Sequence, residues 1–117
     1  MAIIYHLAVK AEWEAAKNQQ EYRVESLEVE GFIHCSRDHD QALAVTNRLF
    51  HGRKDLLVLE VETDRLGSRL QHEPSSSWES YPHIYGPLNT NAVVGVLSLA
   101  LRADGRFSHL ITENQQG

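Results

Sequence analysis

Residues 31–36 carry the sequence Gly-Phe-Ile-His-Cys-Ser, and they connect two kinds of secondary structure. Their apolar run predicts a short β-strand over residues 31–35. Ser36 or Asp38 can cap a helix that begins directly afterwards, and apolar side chains recur at helical spacing over residues 37–50. This stretch therefore predicts a strand that leads into an amphipathic helix.

The chain on both sides of this stretch contains further elements. Residues 11–18 are rich in strong helix formers and predict a second helix. Residues 74–87 contain three consecutive serines and three prolines, and they predict a loop. Short apolar runs or alternating patterns predict the other strands, at residues 3–8, 55–63, 69–73 and 91–101.

The order of these elements indicates the fold class. Strand, helix, strand and helix are followed by several strands, which is typical of an α+β fold. Two helices are too few to cover both faces of a doubly wound parallel sheet. We expect one domain over residues 1–108 and a polar tail over residues 109–117, because no linker or repeat divides the chain.

The composition narrows the class of protein. The chain has 117 residues, of which 42% are hydrophobic, as in an ordinary globular domain. Its formal net charge of −5 argues against non-specific binding to nucleic acid. The lone Cys35 cannot form an intramolecular disulfide, and no apolar run approaches the roughly 20 residues of a membrane-spanning helix. We therefore expect a cytoplasmic protein that does not associate with membranes.

Three of the seven histidines lie in apolar, aromatic surroundings near the ends of predicted elements. These are His6, His34 and His83, and they are the candidate catalytic residues. A neutral imidazole accepts a hydrogen bond at one nitrogen while it donates at the other, which suits both proton transfer and the binding of a ribose or phosphate oxygen. The alternative is that each ring is satisfied by a backbone carbonyl at the edge of the core.

Two other kinds of site are less well supported by the sequence. Strand alternation places Cys35 on the face opposite His34, so we expect a small buried residue rather than half of a Cys–His nucleophile pair. Three histidines can hold zinc in a hydrolase, but the chain has no HExxH motif and no paired CxxC motif. We therefore expect no metal, and a metal-dependent hydrolase remains an alternative function.

The loop predicted at residues 74–87 contains Tyr81-Pro82 and Gly86-Pro87, and proline restrains the residue before it. Such a stiff loop could either pre-order a binding site or cover the edge of the sheet. Whether the Tyr81–Pro82 bond is cis or trans is left open by the sequence.

Several motifs together resemble a known family. They are IYHL at residues 4–7, EW at 12–13, EGFIHCS at 30–36, NRLF at 47–50 and PHIYGPL at 82–88. The pattern is similar to the bacterial and plant family numbered 952 among the domains of unknown function. This resemblance implies an ADP-ribosyltransferase-like fold, in which two small sheets form a cleft and two helices flank it. It also implies that His6 matches the first-strand histidine that grips the NAD ribose, with His34 as a loose counterpart in the second strand.

The resemblance suggests a cleft that binds NAD, a nucleotide or another phosphorylated ribose compound. Its histidines would supply acid–base chemistry of the ADP-ribosyl transferase or RNA 2′-phosphotransferase type. The predicted substrate-binding residues are Tyr5, Ser36, Tyr85 and Gly86, with a tyrosine ring stacking on the ligand and Ser36 bonding to a hydroxyl. The glutamate of the transferases has no evident match, which favours an alternative, a ligand-sensing or protein-interaction module without catalysis. The sequence does not indicate the oligomeric state.

Overall fold

The protein, described from a computed structural model, is an α+β structure built mainly from antiparallel sheets, and residues 2–75 and 78–112 are described. The strands are β1 (Ile3–Val9), β2 (Glu21–Tyr22), β3 (Ile33–His34), β4 (Leu56–Glu62), β5 (Arg69–Pro74), β6 (Ser80–Tyr85), β7 (Leu88–Asn89), β8 (Val93–Leu101) and β9 (Phe107–Thr112). The α-helices are α1 (Lys10–Ala16), α2 (Glu25–Val29) and α3 (His39–Leu49), and 3₁₀ turns cover Thr63–Arg65 and Thr90–Ala92. The α+β prediction is confirmed.

The strands form three antiparallel sheets. The largest has the order β1-β4-β8-β9, a second has the order β3-β6-β5, and β2 pairs with β7. Alternation along β1 directs Ile4 and Ala8 into the core, where they meet Leu59 of the same sheet and Ile84 of the three-stranded sheet. The core therefore lies between the two larger sheets.

One backbone pair joins these two sheets. The N–H of Tyr5 donates to the C=O of Ser36 at 2.8 Å, and the N–H of Ser36 donates to the C=O of Tyr5 at 2.7 Å. Asp38 then caps α3, because its side chain accepts a hydrogen bond from the N–H of Gln41 at 2.7 Å. The short segment after β3 thus joins the sheets and starts the helix.

Residues 80–85, predicted as part of a loop, form β6, the middle strand of the three-stranded sheet. That prediction was wrong because proline and glycine suggested a turn. Pro82 is tolerated because its missing N–H would face Cys35, just beyond the end of β3. The C=O of Pro82 still accepts from the N–H of Cys35 at 3.0 Å, and the Tyr81–Pro82 bond is trans.

Two other predictions need correction. The described residues contain three α-helices rather than two, because α2 is only five residues long and is too short for helical periodicity to reveal it. The predicted domain boundary at residue 108 lies inside β9, which pairs with β8 as far as Thr112. Residues 113–117 of the predicted tail lie outside the described residues.

Substitution of Gly86 tests how tightly the turn after β6 is constrained. Its φ is +148°, and a Cβ there would lie 2.4 Å from Oγ of Ser68, which donates a hydrogen bond to the C=O of Pro87. We expect Gly86→Ala to lower the free energy of unfolding by about 1–3 kcal/mol, measured by urea denaturation. Gly67→Ala is the matched control, because its Cβ would meet nothing closer than 3.6 Å. Equal effects of the two substitutions would contradict this explanation.

Candidate functional site

A cavity of about 560 Å³ opens beside the junction of the two larger sheets. An antiparallel ladder continued from Tyr5 and Ser36 would set Leu7 against His34, but the C=O of His34 accepts from the ring of His6 instead. The two sheets therefore diverge beyond this point, and the gap between the edges of β1 and β3 opens into the cavity. Helix α3 contributes another part of its wall.

The structure brings most of the predicted site residues to this cavity. Its walls include all three candidate catalytic histidines, His6, His34 and His83, together with Tyr5 and Ser36. Tyr85 and Gly86 are not among the cavity-lining residues. Tyr85 lies on the same sheet face as His83, whereas Gly86 forms the turn described above. A smaller hollow of about 270 Å³, lined by apolar and basic side chains at one end of the four-stranded sheet, holds none of these residues.

His6 is a structural histidine in this arrangement. Its Nδ1–H donates to the C=O of His34 at 2.7 Å, and its Nε2 accepts from the hydroxyl of Tyr22 at 3.0 Å. A carbonyl can only accept, so this pairing assigns the proton to Nδ1. Burial lowers the pKa of His6 to about 4 and raises that of the Tyr22 hydroxyl, so both groups are neutral at physiological pH. Both ring nitrogens are thus occupied, as the carbonyl alternative in the sequence analysis describes.

His83 is held differently, by a carboxylate. Its Nδ1–H donates to Oε1 of Glu73 at 2.5 Å, and the hydroxyl of Tyr85 donates to the same oxygen at 2.5 Å. The hydrogen bond from Tyr85, followed by that from His83, lowers the pKa of Glu73. The ring of Phe32 stacks on His83 with 4.0 Å between centroids, which fixes its plane. Nε2 of His83 has no hydrogen-bond partner in the described part of the chain.

His34 lies directly opposite His83 in the β3–β6 ladder. The backbone groups of His34 face β1 and those of His83 face β5, so the two residues form a non-hydrogen-bonded pair, in which side chains approach closely. Their ring centroids are 5.3 Å apart, edge to face. His34 is the more exposed ring, and its Nε2 contacts Oε2 of Glu30 at 3.1 Å. Two imidazoles, each beside a carboxylate, therefore share one face of the sheet.

Cys35 lies in the cavity wall together with His34, which the sequence analysis did not expect. Cys35 still packs in the core with Ile33, as strand alternation predicts, and the cavity borders both Cys35 and His34 where β3 ends and Ser36 pairs with Tyr5 of β1. The prediction of a small buried residue is confirmed, since Cys35 is 5% exposed. Burial raises the pKa of its thiol, so the reactive thiolate is disfavoured.

Sequence reasoning missed Glu73 and Tyr22, the partners of His83 and His6. A signal for Glu73 existed: if residues 80–85 are taken as a strand paired with residues 69–74, then Glu73 lies diagonally beside His83 on one face. Tyr22 gave no such signal, because it belongs to a two-residue strand that only tertiary packing reveals.

Across residues 2–75 and 78–112, no three His, Cys, Asp or Glu side chains are grouped to hold a metal ion. No described helix is long and apolar enough to cross a membrane.

The model of the family described as protein of unknown function DUF952 matches residues 7–96. The chain belongs to the DUF952 family. This confirms the resemblance drawn from the motifs, of which those at residues 12–13, 30–36, 47–50 and 82–88 lie within the matched region. No match was found among curated proteins.

Solved structures of one relative share this DUF952 fold. The crystal structure of protein CC0527 from Caulobacter crescentus is 35% identical, with a TM-score of 0.80 over 92% of this chain and 94% of that chain. A double mutant of CC0527 gives 34% identity and the same TM-score. The solution NMR structure of CC0527 gives 36% identity and a TM-score of 0.75, covering 91% of both chains.

The pKa of His6 predicts an acid-dependent loss of stability. The folded value of about 4 lies below the unfolded value of about 6.5, so the unfolded chain takes up the proton first as the pH falls. The stabilisation is complete above about pH 6.5 and is lost towards pH 4. We expect acidification over this range to remove about 3 kcal/mol of unfolding free energy, and we expect His6→Gln to lack this part of the pH dependence. A pKa near 6.5 for the His6 imidazole, measured by NMR titration of the folded protein, would contradict the prediction.

The hydrogen bond from Tyr22 to His6 can be removed without changing the size of the side chain. Tyr22→Phe leaves Nε2 of His6 buried without a donor, so we expect a loss of about 1–3 kcal/mol in unfolding free energy. Tyr81→Phe removes a hydroxyl that has no hydrogen-bond partner among the described residues, and we expect a change below about 0.5 kcal/mol. Urea denaturation of both variants at neutral pH measures the difference.

Proposed function

We propose that this DUF952 protein binds a nucleotide-like ligand, NAD or another phosphorylated ribose compound, in the cavity at the junction of its two larger sheets. We further propose that His83, oriented by Glu73, acts on the ligand as an acid–base group. The observation that carries this proposal is the His83–Glu73 hydrogen bond in the cavity wall. In the neutral imidazole it leaves a lone pair on Nε2, and a base oriented by a third group is a recurrent arrangement in enzymes.

The size and lining of the cavity support a small-molecule ligand. Its volume of about 560 Å³ falls within the usual range of such sites, about 300–1,000 Å³. The walls offer tyrosine rings, from Tyr5 and Tyr81, on which a planar ring can stack. Arg48 also lines the cavity and has no ion-pair partner in the described ranges, so its guanidinium is available for a phosphate.

The free edge of β1 adds a specific recognition element. The backbone groups of Tyr5 face Ser36, away from β4, and residues two apart along a strand direct their backbone groups to the same side. The N–H and C=O of Leu7 therefore face the cavity. A donor beside an acceptor matches a primary amide, which the nicotinamide of NAD carries. This pairing supports NAD over its deamidated acid analogue.

The diverging sheets also suit the ADP-ribosyltransferase-like fold that the resemblance implies, and that fold is part of this proposal. In such a reaction the bond between nicotinamide and ribose C1′ breaks, and nicotinamide leaves with the electron pair. An acceptor hydroxyl forms the new C–O bond and passes its proton to Nε2 of His83. NAD would then be a substrate, and an RNA 2′-phosphotransferase remains the related possibility for the same site.

A second candidate is a ligand-binding module without catalysis. One observation favours it: His6, which matches the ribose-gripping histidine of the transferases, is 5% exposed and bonded at both nitrogens. A ring whose hydrogen bonds are already made cannot bind a ribose without breaking them. This candidate keeps the cavity and the ligand but predicts no turnover.

Imidazole NMR signals followed during ligand titration test the proposal. We expect NAD to shift the signals of His34 and His83, and to bind more tightly than nicotinic acid adenine dinucleotide, which lacks the amide. His83→Ala should weaken binding at least about tenfold, because the ring forms part of the wall. His109→Ala is the matched control, since His109 is exposed on β9, away from the cavity. Absence of any shift at millimolar NAD, AMP and ribose 5-phosphate would refute the proposal.

Release of nicotinamide separates the two candidates. An active transferase should consume NAD, and Glu73→Gln should slow turnover more than it weakens binding, because it disturbs the orientation of His83. Ligand binding with no consumption of NAD would support the module without catalysis.

A further inference from the structure

Trp78 has a conformation that folding alone does not explain. Its side chain is 97% exposed, whereas the other tryptophan, Trp13, is 6% exposed in the core. Its φ is +69°, a left-handed backbone conformation that is unfavourable for a bulky residue. Exposed aromatic surface and backbone strain both oppose folding, and such features concentrate at functional sites.

The residues directly after Trp78 are firmly attached to α3. Nε2 of the buried Gln41 donates to Oε1 of Glu79 at 2.9 Å and to the C=O of Ser80 at 3.0 Å. Arg37 adds an ion pair with Glu79 at 3.3 Å, and the N–H of Ser75 donates to the C=O of Glu79 at 2.8 Å. The backbone next to Trp78 is thus held in place while the indole is presented to solvent.

The backbone of Trp78 is bonded to a residue of the cavity wall. The N–H of Trp78 donates to the C=O of Ser75 at 3.3 Å, and Ser75 lines the cavity. On the other side of the β5–β6 connection, Tyr81 lines the cavity as well. In the β5–β6 connection, Trp78 therefore lies between two cavity-lining residues, Ser75 and Tyr81.

We infer that Trp78 is a binding residue for a planar ring of the ligand, a nucleobase that projects from the cavity and stacks on the indole. This inference rests on the proposed function and identifies the part of the ligand that the cavity walls do not enclose. Stacking on an aromatic side chain is favourable for every base, because each base has a π-face. The site would therefore require a base on the ligand without strong selection among bases.

The test combines affinity with fluorescence, using AMP and ribose 5-phosphate as a matched pair of probes with and without a base. Trp78→Ala should weaken AMP binding about tenfold and leave the weaker binding of ribose 5-phosphate unchanged. Trp78→Phe keeps a ring and should restore most of the affinity. Val29→Ala, at another exposed apolar side chain outside the cavity, is the control and should bind AMP like the unsubstituted protein.

Fluorescence gives the second readout. AMP should change the emission of the unsubstituted protein, and this response should disappear in Trp78→Phe, where Trp13 is the remaining indole. If AMP shifts the His83 signals but Trp78→Ala binds AMP with unchanged affinity, the inference is wrong and the proposed function stands. If neither His83 nor Trp78 responds to AMP or NAD, both are wrong. Equal losses of AMP and ribose 5-phosphate affinity in Trp78→Ala would also overturn the stacking role.

Discussion

The backbone pair between Tyr5 and Ser36 is the constraint on which the cavity depends. It ties β1 to the segment after β3, and the next step of the ladder is not made, because the C=O of His34 accepts from His6. A buried carbonyl needs a donor, and an imidazole that reaches across supplies it without closing the sheets together. Tyr22 satisfies the other nitrogen of the same ring. The sheets can therefore diverge without leaving these buried polar groups unpaired. A cavity forms at the place where further ladder hydrogen bonds would otherwise have joined the two sheets.

The same register determines how the three histidines are arranged. His34 and His83 face each other as a non-hydrogen-bonded pair, so their rings approach on the cavity side of the three-stranded sheet. Diagonal placement across β5 and β6 brings Glu73 to His83. His6 is 5% exposed, has a low pKa and is bonded at both nitrogens, so it supports the architecture. The three histidines thus divide into one whose ring joins the two sheets and two whose rings approach each other on the three-stranded sheet.

Membership of the DUF952 family and the likeness to CC0527, a relative whose structure is solved, concern the fold of the chain. The match covers more than nine-tenths of both chains, so the likeness extends over nearly the whole fold. The likeness establishes the fold of the chain. The chemistry of the cavity follows instead from individual side chains, and fold alone does not determine function.

The sequence by itself determined the α+β class, β1, α3, β4 and the family, because each depends on local periodicity or contiguous motifs. It left the cap of α3 open between Ser36 and Asp38, and the structure shows Asp38. It also singled out His6, His34 and His83 as polar groups in apolar surroundings. Only the tertiary structure decided their different roles, since these depend on partners distant in the chain: Tyr22 is 16 residues from His6, and Glu73 is 10 residues from His83. Strand β6 was also missed, because a proline in a middle strand is acceptable only where the neighbouring strand has already ended, and a single sequence does not show where that is.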